Sequence, residues 1–207
     1  MSLFEIPVGQ KWQEYELKAM GLRDFARVRP NAPLNPFVLA SFANLLVVEI
    51  DQIEGLSKES KEHLLGAAAE EWSGGACSKP LPNGLRIVIL NPKHGPTRTN
   101  ATLMEEICHV FLGHQPNRLS VVLDDEHNKS LARDYKRADE EAAYATGAAA
   151  LVPYAALKKA VLDGKTSAQV ASHFRVSRSL VEYRMKVTHL WKTYKSARSE
   201  HLLSPRL

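Results

Sequence analysis

The stretch Thr102-Leu-Met-Glu-Glu-Ile-Cys-His-Val-Phe-Leu-Gly-His114 limits what this chain can fold into more than any other. Its apolar residues recur at helical spacing and predict a helix from about 100 to 113, stopped by Gly113 and buried over much of its girth. Glu105 and His109 stand four apart and share one face, and Glu106, three before His109, lies at its edge. A helix this apolar has to leave its acidic edge on a cleft rather than in open water. Cys108 takes a position that suits a packed thiol. His114, five residues after His109, points about 140° away around a continued helix, which reads as surface or a C-terminal cap.

The spacing is that of the zinc-protease helix H-E-x-x-H. There two side chains one turn apart bind the metal, and the Glu between them activates water. Here Glu105 occupies the first position, giving E-E-x-x-H. Carboxylate oxygen ligates zinc, and it suits a harder metal such as manganese better than imidazole does. Two glutamates and a histidine on a helix are also an ordinary solvated face. A second stretch, Glu140-Glu-Ala-Ala-Tyr-Ala-Thr-Gly-Ala-Ala-Ala-Leu-Val-Pro153, places Ala143 and Gly147 on the face of Glu140, where another helix could approach closely. Glu140 could then reach a metal held by His109, or simply charge the first turn of an Ala-rich helix. His94, in the loop Pro92–Pro96, could line a cleft.

The remaining periodicity describes an α+β chain: helices, a small antiparallel sheet, then helices. Helices are predicted at 10–27, broken at Gly21, at 36–44 behind Asn35 and Pro36, and at about 57–71. Strands are predicted at 45–50, 75–79 and, most strongly, Leu85–Asn91, with 119–123 a further candidate. A long helix over 129–151 stops before Pro153, and shorter helices follow at 154–162, 167–174 and 177–196. The expected division is a domain over 1–153 and a helical segment over 154–207. Two cysteines in 207 residues are too few for a disulfide framework, and no apolar run is long enough to span a membrane, so the cytoplasm is the expected location.

Charge is unevenly placed. Residues 158–207 hold eleven Lys/Arg against three acids, a net of +8, so the first 157 residues carry −4 of the overall +4. Such an end either touches nucleic acid or an acidic partner, or solvates a helical face. Thr166–Arg184 has a helix-turn-helix layout, with Ser177 as N-cap of its second helix and Leu180 and Val181 facing inward. Arg178, at the start of that helix, and Arg184 are the candidate DNA contacts.

Taken together and in this order, the two acidic stretches resemble the ImmA/IrrE family of metallopeptidases, gluzincin-like proteins of bacteria and their mobile elements. The family pattern runs T-L-x-H-E-x-x-H-x-L-L and then, about 30 residues later, E-x-x-A-x-x-F-A-x-x-L-L-x-P. Thr102-Leu103 fits, and Glu105 occupies the first His ligand. Glu106 falls on the general base, His109 on the second His ligand and Glu140 on the third ligand. Ala143, Gly147, Leu151 and Pro153 match the end of the pattern. Upstream, Pro33–Ala40, Val47–Asp51, Gly75, Ile87–Asn91 and Arg98 look like the family's first helix, sheet and preceding basic residue, so the likeness spans about residues 10–185. It departs from the pattern at a metal ligand, Glu105.

The resemblance implies a zincin-like fold and zinc, or manganese or another divalent metal, held by Glu105, His109 and Glu140. It implies Glu106 as general base, and site-specific cleavage of a regulatory protein such as a repressor. It also implies that the C-terminal helices pack on the protease part. The other reading is a catalytically inactive relative that binds a protein, or DNA through the basic tail.

Overall fold

The β-branched run Arg86–Leu90 is the centre of a small sheet in the computed structural model, which describes residues 5–53, 56–76, 80–114 and 136–203. Along the chain lie α1 (Gln10–Phe25), α2 (Pro36–Phe42), β1 (Leu45–Glu49), α3 (Lys58–Leu65), β2 (Gly74–Ala76), β3 (Arg86–Leu90), α4 (Pro96–Phe111) and α5 (Arg137–Leu151). Then come α6 (Tyr154–Leu162), α7 (Ser167–Phe174), α8 (Arg178–Val187) and α9 (Trp191–Leu203). The chain is therefore α+β and mostly helical, as its periodicity predicts. Among the described residues no helix is long and apolar enough to cross a membrane.

The sheet has the order β1-β3-β2 and is mixed, not antiparallel as expected. β2 and β3 pair antiparallel, with Gly74 opposite Leu90 and Ala76 opposite Val88. β1 and β3 run parallel, from Leu45 opposite Arg86 to Glu49 opposite Leu90. Parallel pairing needs a long crossover, and the segment carrying α3 between these two strands supplies one. The turn signal at 80–84 speaks only for the hairpin, so it could not reveal that direction. The strand candidate at 119–123 lies outside the described residues.

Two compact units emerge, Pro36–Tyr144 and a second formed by Met1–Asn35 with Ala145–Leu207. In the first, α4 packs on α2, β2 and β3. Pro96 opens α4 four residues earlier than the pattern of apolar residues shows, since proline suits the first helical position. Gly74 permits the close approach of β2 to this helix, because a Cβ there would come 2.7 Å from the Thr102 side chain and 3.0 Å from the Ile89 carbonyl oxygen. The buried Asn91 side chain ties the loop before β2 to the end of β3 by donating to the carbonyls of Ala69 (2.7 Å) and Trp72 (2.9 Å). Arg98 adds bonds to Ser73 Oγ and Glu70. The helix expected over 57–71 ends at Leu65, before Gly66.

In the second unit α1 runs through Gly21 without a break. Arg23 donates to the carbonyls of Ala150, Arg29 and Ala32 and so fastens the chain end of α1 to that of α5. The single helix expected over 177–196 is two, α8 and α9. Thr188 turns its hydroxyl back to the Arg184 carbonyl at 2.6 Å, and His189 adopts the left-handed region at φ 61°. Neither glycine nor proline marks that break, so the sequence carries no ordinary stop signal there. Ser177 does cap α8, accepting from the Leu180 amide at 3.2 Å, and Leu180 and Val181 are buried.

Candidate functional site

On α4 the apolar residues Leu103, Met104, Ile107 and Cys108 are all buried to within 1% exposure, which fixes the rotation of the helix. That rotation leaves Glu105 partly exposed and Glu106 and His109 buried at the edge of the same side. Burial pushes the Cys108 thiol up, far from thiolate chemistry, as a packed cysteine requires. From α5, Glu140 reaches the same place: its Oε2 lies 3.7 Å from His109 Nε2.

One donor atom each from Glu105, His109 and Glu140 lies within 4.8 Å of the others. Ligands of a tetrahedral zinc stand about 3.4 Å apart for bonds near 2.1 Å. The three donors therefore need only small side-chain adjustments to share one ion. Their chemistry fits a divalent cation as well. Glu105's carboxyl is pushed up to about 7, first by burial, then by Glu140, with Glu106 adding to this and His109 opposing it. Two crowded carboxylates beside one imidazole form a cluster that a cation would relieve. Two carboxylates make this set harder than a two-histidine one and lessen its preference for zinc over manganese.

Glu106 is held differently. Its Oε2 accepts a hydrogen bond from the Ala76 amide of β2 at 3.2 Å. This buried carboxylate is thus seated against the edge strand, beside the donor group rather than within it. Nothing in the spacing of α4 announces that bond, because it depends on how β2 crosses the helix.

The surface reading of His114 fails, whereas its reading as a C-terminal cap is met through the backbone. α4 ends at Phe111, and Gly113, at φ 70°, turns the chain back on itself. The His114 amide caps the helix by donating to the His109 carbonyl at 3.0 Å. Its ring then packs edge-on against His109, with centroids 5.1 Å apart. Tyr144, one turn after Glu140 and so on the same face by its i,i+4 spacing, also lies within electrostatic reach of Glu105. Burial raises its hydroxyl, and the charge of Glu105 raises it further. His94 is not part of the donor group.

The two candidate nucleic-acid contacts part company. Arg178 is exposed, and its Nε donates to Glu182 at 2.6 Å and to Ser167 Oγ at 3.1 Å. Arg184 is 1% exposed and ion-paired with Glu16, so it presents no guanidinium to a phosphate. The basic tail counted from sequence is a smaller surface charge than its net +8 implies.

A carboxylate–imidazole–carboxylate group thus faces one point, with a further glutamate seated beside it. Residues 70–186, more than half of the chain, match the family described as the IrrE N-terminal-like domain of a peptidase family, and the chain belongs to that family. No curated protein and no solved structure matches it.

The raised Glu105 carboxyl sets a pH dependence. The native state holds a proton there up to about pH 7, whereas an unfolded glutamate releases it near 4.5. Between those values the native state binds more protons, so stability falls as pH rises. In chelator-treated protein that loss is on the order of 2 kcal/mol, and Glu105→Gln is expected to remove it. Urea midpoints at pH 4.5 and 7.5 measure it, and identical slopes in both proteins would refute the assignment.

Proposed function

We propose that this chain is a metal-dependent peptidase of the ImmA/IrrE type with a zincin-like fold, holding zinc or another divalent ion by Glu105, His109 and Glu140. The convergence of these three side chains from two separate helices carries the reading. When bound, the ion would supply Lewis-acid polarisation of a peptide carbonyl and acidify water. Glu106 then takes the proton from the attacking water as its oxygen bonds to the carbonyl carbon. As the C–N bond breaks, it hands that proton to the leaving amine. Ala76 fixes the carboxylate for this transfer by holding one oxygen.

β2 is an edge strand among the described residues. An extended substrate segment added along it would bring a scissile carbonyl beside Glu106. A regulatory protein such as a repressor, offering an extended loop, is the substrate class this favours. The silent-relative reading draws on the same hydrogen bond, since a carboxylate committed to a backbone amide is a weaker base. A DNA-binding reading through a helix-turn-helix formed by α7 and α8 has less support, because Arg184 is buried.

Metal uptake tests the proposal. Full-length protein prepared without chelator or a histidine-rich tag is expected to bind zinc at micromolar concentration. Two carboxylates in the set make the binding weaker than at a two-histidine site. His109→Ala removes the imidazole and is expected to weaken binding at least about tenfold. Equal uptake by both proteins, or none by wild type, removes the basis of the enzyme reading.

A further inference from the structure

His114 stands immediately behind His109, on the side away from the carboxylates. His109 Nε2 is the nitrogen near Glu140, at 3.7 Å, and His109 Nδ1 lies 3.1 Å from His114 Nδ1. His114 Nε2 in turn lies 3.8 Å from Asp139 Oδ1. The three groups form a line that starts at a carboxylate and ends at the donor cluster. His114 and Asp139 are 12% and 30% exposed, so water screens the line only partly.

Across these contacts the protons have one consistent placement when Nε2 of His109 serves as a donor to a cation. That nitrogen must then carry no proton, so the neutral ring keeps its proton on Nδ1. At 3.1 Å a Nδ1–H of His109 donates to His114 Nδ1, which must therefore be bare. The proton of a neutral His114 consequently sits on Nε2, the nitrogen that faces the Asp139 carboxylate. The His109 proton then meets an acceptor at hydrogen-bond distance, and the N–H of His114 lies 3.8 Å from the Asp139 carboxylate, a longer electrostatic contact. The opposite arrangement turns the bare Nε2 of His114 toward an anion, which is unfavourable.

We infer that His114, oriented by Asp139, is a positioning residue that locks His109 in its Nδ1–H tautomer and so keeps its Nε2 turned toward Glu140. The inference rests on the metallopeptidase reading and adds an outer layer to it. Asp139 and Glu140 are neighbours on α5, so this helix supplies a carboxylate to the donor cluster and another to the residue behind it. The backbone bond from His114 to the His109 carbonyl and the left-handed Gly113 set the ring where it stands, so the chain reversal after α4 is part of the site.

The test uses full-length protein with zinc as the probe, titrated against a chromophoric chelator. The variants are His114→Leu, His114→Asn, Asp139→Asn and His109→Ala. Removing an outer partner of a metal-binding histidine typically weakens the metal by about 10–100-fold, and that is the loss expected for His114→Leu. His114→Asn is expected to recover most of it, because the amide oxygen can occupy the place of Nδ1 and accept the same proton. Asp139→Asn should show a smaller loss. In the zinc-loaded protein a hydrogen-bonded His109 Nδ1 proton should appear by NMR in wild type and in His114→Asn, and vanish in His114→Leu. A purely structural role for His114 would not move that resonance. If His114→Leu binds zinc as tightly as wild type while His109→Ala does not, the positioning role is wrong and the metal site stands. If His114→Asn loses as much as His114→Leu, the hydrogen bond is not the cause. If wild type and His109→Ala take up zinc equally, the metal reading falls and takes this inference with it.

Discussion

Glu106→Gln is expected to leave zinc affinity and the thermal midpoint unchanged while cleavage of a cognate protein falls by about 10²–10⁴-fold, the usual contribution of a general base. The substitution isolates one property. A glutamine oxygen can still accept from the Ala76 amide, so the 3.2 Å contact between α4 and β2 survives and the buried volume hardly changes. The amide cannot take a proton from water. Glu106→Ala would confuse the matter, because it leaves the Ala76 amide without this acceptor and opens space beside a packed helix. The measurement is single-turnover cleavage of a partner encoded beside this chain, with zinc binding followed in parallel. Equal cleavage by both proteins would displace Glu106 from its role. Cleavage by neither would favour the silent reading, in which the bond to Ala76 holds the carboxylate for packing alone.

The parts of this molecule that were legible in sequence are those written in local spacing. The face shared by Glu105, His109 and the edge residue Glu106 follows from helical geometry, and α4 carries them on one side. Glu140 was placed by its likeness to a family motif, and it does lie near His109. The Ser177 cap and the inward Leu180 and Val181 follow from local patterning too. What escaped depends on contacts between distant residues or on a turn. The direction of β1 against β3 depends on a crossover, which no strand pattern records. Helical spacing carries His114 past the point where α4 ends, and one left-handed glycine reverses its position. The break between α8 and α9 falls at Thr188 and His189, where neither glycine nor proline stands. A charge count reads Arg184 as surface because its partner, Glu16, lies far away in sequence.

Arg184→Ala is expected to destabilise the folded protein by roughly 3–5 kcal/mol, more than any surface substitution in the basic tail. Arg184 and Glu16 are 1% and 2% exposed, so neither charge is shared with water. The guanidinium donates to Glu16 Oε2 and, through Nε, to the Val152 carbonyl at 3.1 Å. Glu16 Oε1 accepts from the Tyr154 amide at 2.6 Å and so caps α6, where the N-cap Pro153 offers no side-chain acceptor. Deleting the arginine strands a carboxylate that is still needed by that amide, and the carboxylate must either stay charged in an apolar setting or take up a proton. The pair is strong only in the sense that breaking it is costly. Replacing both partners together, as in Glu16→Gln with Arg184→Met, keeps an acceptor for Tyr154 and removes the charges. It is expected to recover most of the loss, since well-packed neutral residues often equal a buried ion pair. Denaturant titrations of the two single variants and the double variant measure the coupling directly. A loss below about 1 kcal/mol in Arg184→Ala would mean that the pair is solvated and would refute the burial argument. The same numbers bear on function, because DNA binding lost in Arg184→Ala would report an unfolded helical unit and not a missing phosphate contact. Arg178→Ala, at an exposed and ion-paired position, is the variant that can report on DNA.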